Sequence, residues 1–223
     1  SGLSKAGRHE SHHTRSAAEI VKTVPAGKLK STLDCVDGYH RVELAKEDRH
    51  KTTFATEWGL YRYLRVPQGY LSSGDSYTKH TDAILDDCPE KPAEHDYEKI
   101  VDDIIQWSET MEQAFFRICS MLSHCNKNGM VFSPDKFVFA KETVEFAGFE
   151  ITKEGIKPTD TYIEAIRNFP TPTNISEVRS WFGLINQVAY SFVKTEHMAP
   201  FRHLLSQSQP FNWDLNMETA FRL

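Results

Sequence analysis

The sequence predicts an α+β fold, and three observations support that class. Short runs rich in β-branched and aromatic residues alternate with stretches of helical periodicity up to about residue 152. After residue 158, apolar residues recur at helical spacing, so the last third is predicted to be helical. No repeat or low-complexity linker separates these parts, and 39% hydrophobic residues give the 223-residue chain enough apolar material for one large domain or two small ones. A change of character between residues 152 and 158 predicts a domain boundary.

Composition argues against several functional classes. No run approaches the roughly 18 to 20 apolar residues of a membrane span, and the N-terminal residues lack the apolar region of a secretory signal, so we expect no membrane partner. A net charge of -5 argues against a protein that coats nucleic acid by bulk charge alone, so any nucleic-acid contact would be local. The four cysteines contain no C-x-x-C pair, which indicates a reduced intracellular protein.

The first elements follow from local sequence. Residues 29–34, LKSTLD, predict a strand, Asp37 and Gly38 predict a turn, and residues 39–45, YHRVELA, predict a further extended segment. Residues 72–87 predict a helix that is entered through small residues. Its predicted core-facing residues are Tyr77, Ala83, Ile84 and Leu85.

A polar, proline-bearing loop over residues 89–98 leads into the stretch KIVDDIIQWS, residues 99–108. Its two aliphatic runs are strand-like, so Asp102 and Asp103 are predicted to occupy the tight turn of a hairpin. Carboxylates side by side near a core are costly unless a cation neutralises them, and Mg²⁺ prefers oxygen ligands. The alternative is a solvated turn. Asp34, at the end of the first predicted strand, could supply the third carboxylate that two-metal phosphoryl transfer requires.

Capping signals bound the next helix. Thr110 and Gln113 form a T-x-x-Q capping box at its start, and Gly129 is a natural C-terminal stop. Seven residues at helical spacing are predicted to face the core: Met111, Ala114, Phe115, Ile118, Met121, Leu122 and Cys125.

The remaining predicted elements are a hairpin and two helices. Residues 137–140, FVFA, and 144–152, VEFAGFEIT, are predicted to pair across the turn KET. Residues 159–169, TDTYIEAIRNF, predict a helix that is ended by PTPT, and the capping pair Asn174 and Glu177 opens a second helix.

Five motifs resemble, in order and spacing, the reverse transcriptases of gypsy-type LTR retrotransposons, and together they extend over essentially the whole chain. STLDCVDGYHRVELAKEDRHKTTFAT is similar to the first aspartate motif of the polymerase palm, and VPQGYLSSGDSYTKHTDAIL is similar to the PQG motif and its helix. IVDDIIQWS resembles the Y-x-D-D hairpin, and SPDKFVFAKETVEFAGFEIT resembles the lysine motif with the primer-grip hairpin. PTPTNISEVRSWFGLINQVAYSF resembles the thumb signature. Ile100 departs from the pattern because the family has tyrosine there.

The resemblance implies a right-hand polymerase palm, an antiparallel sheet with helices on one face, joined to a small, mainly helical thumb and to only partial fingers. The implied domains are partial fingers with a connection to the palm over residues 1–30, the palm over 31–152, the thumb over 153–210 and the start of a linker over 211–223. The implied function is that of an RNA-directed DNA polymerase, which adds dNTPs to a primer 3′ end by two-metal phosphoryl transfer.

The resemblance also implies roles for individual residues. Two Mg²⁺ ions, with Mn²⁺ as a substitute, would be bound by the catalytic carboxylates Asp34, Asp102 and Asp103 together with Val36, and Asp34 and Asp102 would be the principal ligands. The nucleotide would contact Asp37, Gly38, Tyr39, Gln68, Gly69 and Lys136. Tyr39 would exclude a 2′-hydroxyl by its bulk. The primer end would contact Phe146, Ala147, Gly148 and Phe149. The alternatives are a core tyrosine at 39, a solvated lysine at 136 and a plain core hairpin at 146–149.

The implied partners are an RNA or DNA template with a DNA primer, and dNTPs. In the family, fingers strands that grip the triphosphate with Lys and Arg precede such a sequence, and RNase H and integrase domains belong to the same polyprotein. We expect an intracellular location, either cytoplasmic in a virus-like particle or nuclear.

Two alternatives belong to other functional classes. A catalytically silent retroelement remnant would keep the fold and act as a nucleic-acid or protein-binding module, whereas the three intact aspartates favour the enzyme. His9, Glu10 and His13 match the zinc-hydrolase pattern H-E-x-x-H, but the surrounding sequence lacks the apolar stripe of a buried helix, which favours a solvated cluster.

Overall fold

The structure is a computed structural model, and the residues that it describes are 15–70, 72–88, 96–192, 198–205 and 211–222. The H-E-x-x-H match at His9, Glu10 and His13 lies outside these residues, and so does the first part of the segment expected to belong to the fingers. The described residues form the predicted α+β architecture, in which helices cover one face of an antiparallel sheet.

The central sheet has four antiparallel strands in the order β4-β5-β1-β6. The strands are β1 (Leu29–Asp34), β4 (Tyr97–Ile100), β5 (Asp103–Ser108) and β6 (Val138–Lys141). β1 and β5 are the most buried because each has a neighbouring strand on both sides. The predicted first strand and the predicted hairpin over residues 99–108 are therefore confirmed. The predicted turn at Asp102 and Asp103 is wrong by one residue, because Ile100 pairs with Asp103 and leaves Val101 and Asp102 as the turn.

Helices α3 (Ser73–Asp86) and α4 (Met111–Lys127) pack on one face of the central sheet. The buried stripe of α3 runs through Tyr77, Thr81, Ile84 and Leu85. Ala83 is exposed, so its predicted core position is wrong, because residue 83 lies on the side of the helix opposite this stripe.

The buried residues of α4 are Ala114, Ile118, Met121 and Cys125. The core positions predicted for Met111 and Phe115 are wrong, since both side chains are more than half exposed. Met111 lies in the first turn, and Phe115 lies beside the stripe. Both predicted ends of α4 are confirmed: the Gln113 N–H donates to Thr110 Oγ1 at 3.2 Å, and Gly129 adopts a φ of 85° just after the last turn.

A second sheet and a short helix cover the other face of the central sheet. The elements are α1 (Ala17–Val21), β7 (Val144–Phe146), β8 (Phe149–Ile151) and β9 (Ile156–Pro158). The three strands form an antiparallel sheet in the order β7-β8-β9. Their side chains Phe146 and Phe149 share a core with Ile105 and Trp107 of β5, so both sheets are built around the same apolar layer.

The predicted pairing of residues 137–140 with residues 144–152 is wrong. Residues 138–141 form β6, which pairs with β1, whereas β7 pairs with β8. The chain bends at residues 142 and 143 and passes from one sheet to the other, because Val144 and Phe146 bury in the core between them.

The extended segment predicted after β1 is also wrong. The turn at Asp37, with a φ of 52°, continues into a single helical turn, α2 (Gly38–Arg41). The helical turn brings the ring of Tyr39 to 5.0 Å from the ring of Tyr77 in α3. Gly38 is required at this approach, since a Cβ there would lie 2.5 Å from the Tyr77 ring.

A two-stranded ribbon projects beyond α2. It consists of β2 (Phe54–Thr56) and β3 (Gly59–Tyr61), joined to the rest of the chain through a bridge between Glu43 and Arg65. The Trp58 and Leu60 side chains of this ribbon are more than three quarters exposed.

Lys30 is a charged residue in the interior of the central sheet. Its residue surface is 0% exposed, and its ammonium group donates to the carbonyl oxygens of Ala26, Lys28 and Glu142 at 2.8, 2.9 and 2.8 Å. Burial lowers the pKa of this group. The three hydrogen bonds offset the cost of burying the amine and tie β1 to the segment before it and to the residue that follows β6.

The last third of the described chain is mainly helical, as predicted. It contains α5 (Asp160–Arg167), α6 (Ile175–Phe192), a 3₁₀ segment (Ala199–Leu205) and α7 (Leu215–Arg222). The predicted capping pair is confirmed, because Asn174 Oδ1 accepts from the Glu177 N–H at 3.0 Å. A separate core forms here from Val178, Trp181, Ile185, Met198, Phe201, Leu204 and Met217. In the described part of the chain, no helix combines the length and apolar character of a membrane span.

Candidate active site

Three aspartates, Asp34, Asp102 and Asp103, lie at the end of β1 and the start of β5. Asp34 and Asp103 are direct partners across the antiparallel pair of these strands. Val101 and Asp102 form the two-residue turn between β4 and β5, and Val101 has a φ of 54°, which is strained for a β-branched residue. The Asp102 carbonyl accepts from the Cys35 N–H at 2.8 Å, so this turn is tied to the end of β1.

The surroundings of Asp103 disfavour the ionised form of its carboxyl group. Burial raises its pKa to about 6, and the neighbouring Asp34 carboxylate also raises it, whereas Lys136 acts in the opposite direction. The Lys136 ammonium lies 2.9 Å from Asp34 Oδ2, and this pairing raises the pKa of Lys136. One exposed lysine therefore faces the carboxylate pair, and the site still favours a further cation.

Asp102 faces a different environment from Asp34 and Asp103. Its Oδ1 atom is buried and has no hydrogen-bond partner among the described residues, and the same is true of the Tyr77 hydroxyl. Burial raises the pKa of Tyr77, and the nearby Cys35 thiol and Asp102 carboxylate raise it further. Burial also raises the pKa of the Cys35 thiol, to about 11, so this cysteine stays protonated and unreactive at neutral pH.

The donor chemistry of these side chains fits a hard divalent cation. Two carboxylates, Asp34 and Asp103, meet across the strand pair, and Mg²⁺ is commonly held by one or two carboxylates while it keeps several waters. Within the residues that the structure describes, no three His, Cys, Asp or Glu side chains converge as they would around a bound metal. The site is thus a carboxylate pair with a third aspartate behind it.

A cleft of about 370 Å³ opens beside the carboxylate pair. Asp34, Asp103 and Lys136 line one part of it, and the turn of the β7–β8 hairpin lines another. Thr159 and Thr161, at the start of α5, complete the wall. The cleft therefore connects the carboxylates to the hairpin for which primer contact is expected.

The hairpin combines a buried base with an accessible turn. The side chains of Phe146 and Phe149 are core, at 4% and 1% exposure. Ala147 and Gly148 have φ values of 52° and 83°, which form a tight two-residue turn of the hairpin type. The Gly148 carbonyl accepts from the Thr159 N–H at 3.0 Å, so the turn is braced against the start of α5.

Apart from Lys136, which lines the cleft, the residues expected to contact a nucleotide fall into two groups, and Val36, which is expected to contact the metal, lies with the first group. Val36, Asp37, Gly38 and Tyr39 follow Asp34 directly, with Asp37 exposed, Tyr39 half-buried and the Val36 N–H donating to the Val131 carbonyl at 2.8 Å. Gln68 and Gly69 lie exposed in the loop before α3, and neither lines the cleft. Ile100, where tyrosine is usual, is half-buried and pairs with Asp103.

The sequence reasoning missed three residues of this region. Tyr77 was assigned only to the core, although a tyrosine on a buried helix face brings a hydroxyl that needs a partner. Thr159 and Thr161 gave no signal beyond the start of a helix, because their position in the cleft depends on how the second sheet packs.

Comparisons with known proteins add independent information. The sequence matches the family described as Reverse transcriptase (RNA-dependent DNA polymerase) over residues 4–151. It is 33% identical over 165 residues to the Retrovirus-related Pol polyprotein from transposon gypsy of Drosophila melanogaster, which covers 74% of this chain and 16% of that protein. It is 31% identical over 170 residues to the Pro-Pol polyprotein of simian foamy virus type 1, which covers 76% of this chain and 14% of that protein.

Solved structures resemble the chain over nearly its whole length. A foamy viral protease-reverse transcriptase in complex with an RNA/DNA hybrid superposes with a TM-score of 0.80 and 24% identity, covering 98% of this chain and 30% of that one. A second foamy viral protease-reverse transcriptase, in complex with double-stranded DNA, gives a TM-score of 0.80 and 25% identity, covering 98% of this chain and 38% of that one. The chain spans less than a fifth of the length of both curated relatives.

Proposed function

Because this chain belongs to the reverse transcriptase (RNA-dependent DNA polymerase) family, we propose that it is the polymerase core of an RNA-directed DNA polymerase. It would add dNTPs to the 3′ end of a primer on an RNA or DNA template. The observation that carries this proposal is the pairing of Asp34 with Asp103 at the edge of an open cleft, with the pKa of Asp103 raised to about 6. The same carboxylates favour the enzyme over a silent remnant.

The family implies a dependence on divalent metal, and we propose Mg²⁺, with Mn²⁺ as a substitute. Asp34, Asp102 and Asp103 would hold the metal, with Val36 beside them. When bound, the metal would lower the pKa of the primer 3′-hydroxyl and offset charge on the transferring phosphate. The chain's own contribution is to hold the carboxylates close together at the end of two paired strands.

Substrate positioning is assigned to the residues around the carboxylates. Lys136, which already pairs with Asp34, supplies a positive charge at the cleft and would screen the phosphates. Tyr39, held against Tyr77, would crowd a 2′-hydroxyl, while Asp37, Gly38, Gln68 and Gly69 would line the rest of the nucleotide pocket. The primer end would lie along the turn of residues 146–149, which shares the cleft with Asp103.

A template-primer partner is supported by the relatives. One solved foamy viral relative is bound to an RNA/DNA hybrid and another to double-stranded DNA. In this proposal, residues 31–152 are the palm, 153–210 the thumb, and residues 1–30 part of the fingers, with 211–223 leading toward an RNase H domain. The parent polyprotein would also carry an integrase and act inside the cell, in cytoplasmic particles or in the nucleus.

Primer extension on poly(rA)/oligo(dT), with Mg²⁺ and dTTP, tests the proposal. We expect the Asp102→Asn, Asp103→Asn double variant to extend the primer about 100-fold more slowly than the parent, or not at all, because metal stabilisation of the transferring phosphate contributes several kcal/mol. The control is Asp86→Asn, Asp87→Asn, an adjacent aspartate pair at the end of α3, which should extend at the parental rate. Equal extension by all three proteins, or none by the folded parent, would contradict the proposal.

A further inference from the structure

Two buried polar atoms behind the carboxylate pair have no partner. They are the hydroxyl oxygen of Tyr77 and Oδ1 of Asp102, and neither has a hydrogen bond within the described part of the chain. Buried polar groups in native proteins are nearly always hydrogen-bonded, so two such atoms in one place need an explanation. The Tyr77 residue is only 2% exposed, which leaves its hydroxyl no access to bulk water.

The two atoms belong to neighbouring groups. The electrostatic environment of the Tyr77 hydroxyl includes the Asp102 carboxylate and the Cys35 thiol. The Tyr77 ring lies close against the backbone of Gly38, where an added Cβ would lie 2.5 Å from the ring. The Tyr77 ring also packs on the Tyr39 ring, with 5.0 Å between the ring centroids.

Other groups near Asp102 compete with Tyr77 as its missing donor or are weaker donors. The Lys99 ammonium lies 3.1 Å from Asp82 Oδ1 and forms an ion pair with it, although Lys99 Nζ is also buried without a hydrogen bond among the described residues. The Cys35 thiol is a weak donor. A neutral tyrosine hydroxyl is a good donor, and an ionised carboxylate is an acceptor only, so Tyr77 and Asp102 match in chemistry as well as in place.

We propose that Tyr77 is a positioning residue, whose hydroxyl donates a hydrogen bond to Asp102 and fixes that carboxylate behind Asp34 and Asp103. This inference rests on the proposed function, because it concerns one of the three carboxylates assigned to the metal. A carboxylate held by a hydroxyl on one oxygen has one orientation instead of several. Metal affinity should therefore depend on a residue that lies in a helix beneath the site and binds neither metal nor substrate.

A double-mutant cycle tests the contact itself, with no metal present. Tyr77→Phe removes only the hydroxyl, and Asp102→Ala removes its acceptor. We expect Tyr77→Phe to lower the folding equilibrium constant about tenfold in the parent, as for a hydrogen bond to a charged group, and less than about twofold when residue 102 is alanine. Urea unfolding in EDTA measures all four proteins. Equal effects of Tyr77→Phe in both backgrounds would overturn the proposal.

Manganese affinity tests the positioning role, which a merely structural hydroxyl would not affect. Calorimetric titration with Mn²⁺ should show about tenfold weaker binding for Tyr77→Phe than for the parent. The matched control is Tyr162→Phe, which removes a hydroxyl that donates to the Leu184 carbonyl at 3.0 Å, away from the carboxylates. It should bind Mn²⁺ like the parent.

The outcomes separate the two proposals. A coupled cycle with weaker Mn²⁺ binding only in Tyr77→Phe supports the positioning role. A coupled cycle with parental Mn²⁺ affinity in Tyr77→Phe overturns the role and leaves a structural hydrogen bond. If the folded parent binds no Mn²⁺, the proposed metal site fails, and the positioning role fails with it, whereas the cycle still decides whether Tyr77 and Asp102 are in contact.

Discussion

The pKa of Asp103 reflects the electrostatic environment of the site. An ordinary aspartate has a pKa of about 3.9, whereas burial and the facing Asp34 raise that of Asp103 to about 6. The folded protein therefore binds this proton more tightly than the unfolded chain does. The stabilisation that this bound proton provides is fully present below about pH 4 and is lost as the pH rises through about 6. The reason is that ionised Asp103 is disfavoured in the folded state but not in the unfolded chain.

We predict that Asp103→Asn stabilises the metal-free protein above pH 6 but not at pH 4. The difference in the free energy of unfolding between variant and parent should grow by about 1–2 kcal/mol over this range, a value reduced for partial solvent screening. Urea unfolding in EDTA at several pH values measures it. Asp135→Asn, a change at an exposed carboxylate nearby, serves as the control and should show no such growth. A parallel pH profile for Asp103→Asn and the parent would contradict the prediction.

At the scale of elements, the β7–β8 hairpin contains a tight turn in which one residue, Ala147, has a strained backbone conformation. Ala147 adopts a φ of 52°, a left-handed conformation that costs a non-glycine residue about 1–2 kcal/mol. The turn persists because Phe146 and Phe149 on either side are buried and because Thr159 binds the Gly148 carbonyl. Burial at the base of the hairpin thus holds a strained turn at the cleft.

We predict that Ala147→Gly stabilises the protein by about 1 kcal/mol, because glycine adopts this conformation without a Cβ clash. The same substitution at Ala55, an exposed strand residue that is not among the residues of positive φ, should instead lower stability by about 0.5–1 kcal/mol. Thermal or urea unfolding compares the two. A loss of stability in Ala147→Gly equal to that in Ala55→Gly would show that the turn carries no strain.

The elements that could be predicted from the sequence are those whose signal is local. Residues 29–34 form a short strand-like run next to a turn, and Asn174 and Glu177 cap each other within one turn, so both elements could be recognised without tertiary information. The prediction of a hairpin over residues 137–152 was wrong because residues 138–141 pair with β1, which is distant in sequence. Burial of Val144 and Phe146 against Ile105 and Trp107 stabilises the fold more than hydrogen-bonded pairing with residues 138–141 would.

The same distinction applies to the site. Asp102 and Asp103 could be chosen from the sequence because two adjacent carboxylates lie between aliphatic runs, and Asp34 because it ends a predicted strand and belongs to a motif that resembles the family's. The different environments of the three aspartates could not be predicted from the sequence. Asp34 and Asp103 face the cleft, whereas the Oδ1 atom of Asp102 is buried beside α3, and this difference results from how the helix packs. Tyr77, Thr159 and Thr161 belong to the site because they lie close to it in three dimensions, and no spacing along the chain predicts that proximity.

At the scale of the whole molecule, the described residues form three apolar cores, and these cores are not equally well connected to one another. One core lies between the central sheet and helices α3 and α4, and a second lies between the two sheets. The third core belongs to the C-terminal helices, where the Trp181 ring packs 4.8 Å from the Phe201 ring and 5.0 Å from the Phe221 ring. Ile166 packs against both the second and the third core and joins them. Because few residues connect the third core to the second, we expect the C-terminal core to open while the sheets remain folded.

We predict that Trp181→Ala opens the C-terminal core locally. Removing this ring should cost about 3–5 kcal/mol, and hydrogen exchange should accelerate in residues 175–192, 198–205 and 215–222 while amides of β5 keep their protection. Exchange measured by mass spectrometry resolves these segments. Trp58→Ala, at a residue that is 78% exposed, is the matched control and should leave all of them unchanged. Simultaneous loss of protection in β5 would mean that the cores unfold as one.

Lys30 gives the molecule an internal reporter of its own opening. Its amine is enclosed by three carbonyl groups and has no accessible surface, whereas Lys136 and Lys153 extend into solvent. An acylating reagent needs a free, unprotonated amine, so it will modify the surface lysines long before it reaches position 30. The mass increase at Lys30 then measures how often the central sheet comes apart, and a ligand that tightens the sheet will delay it.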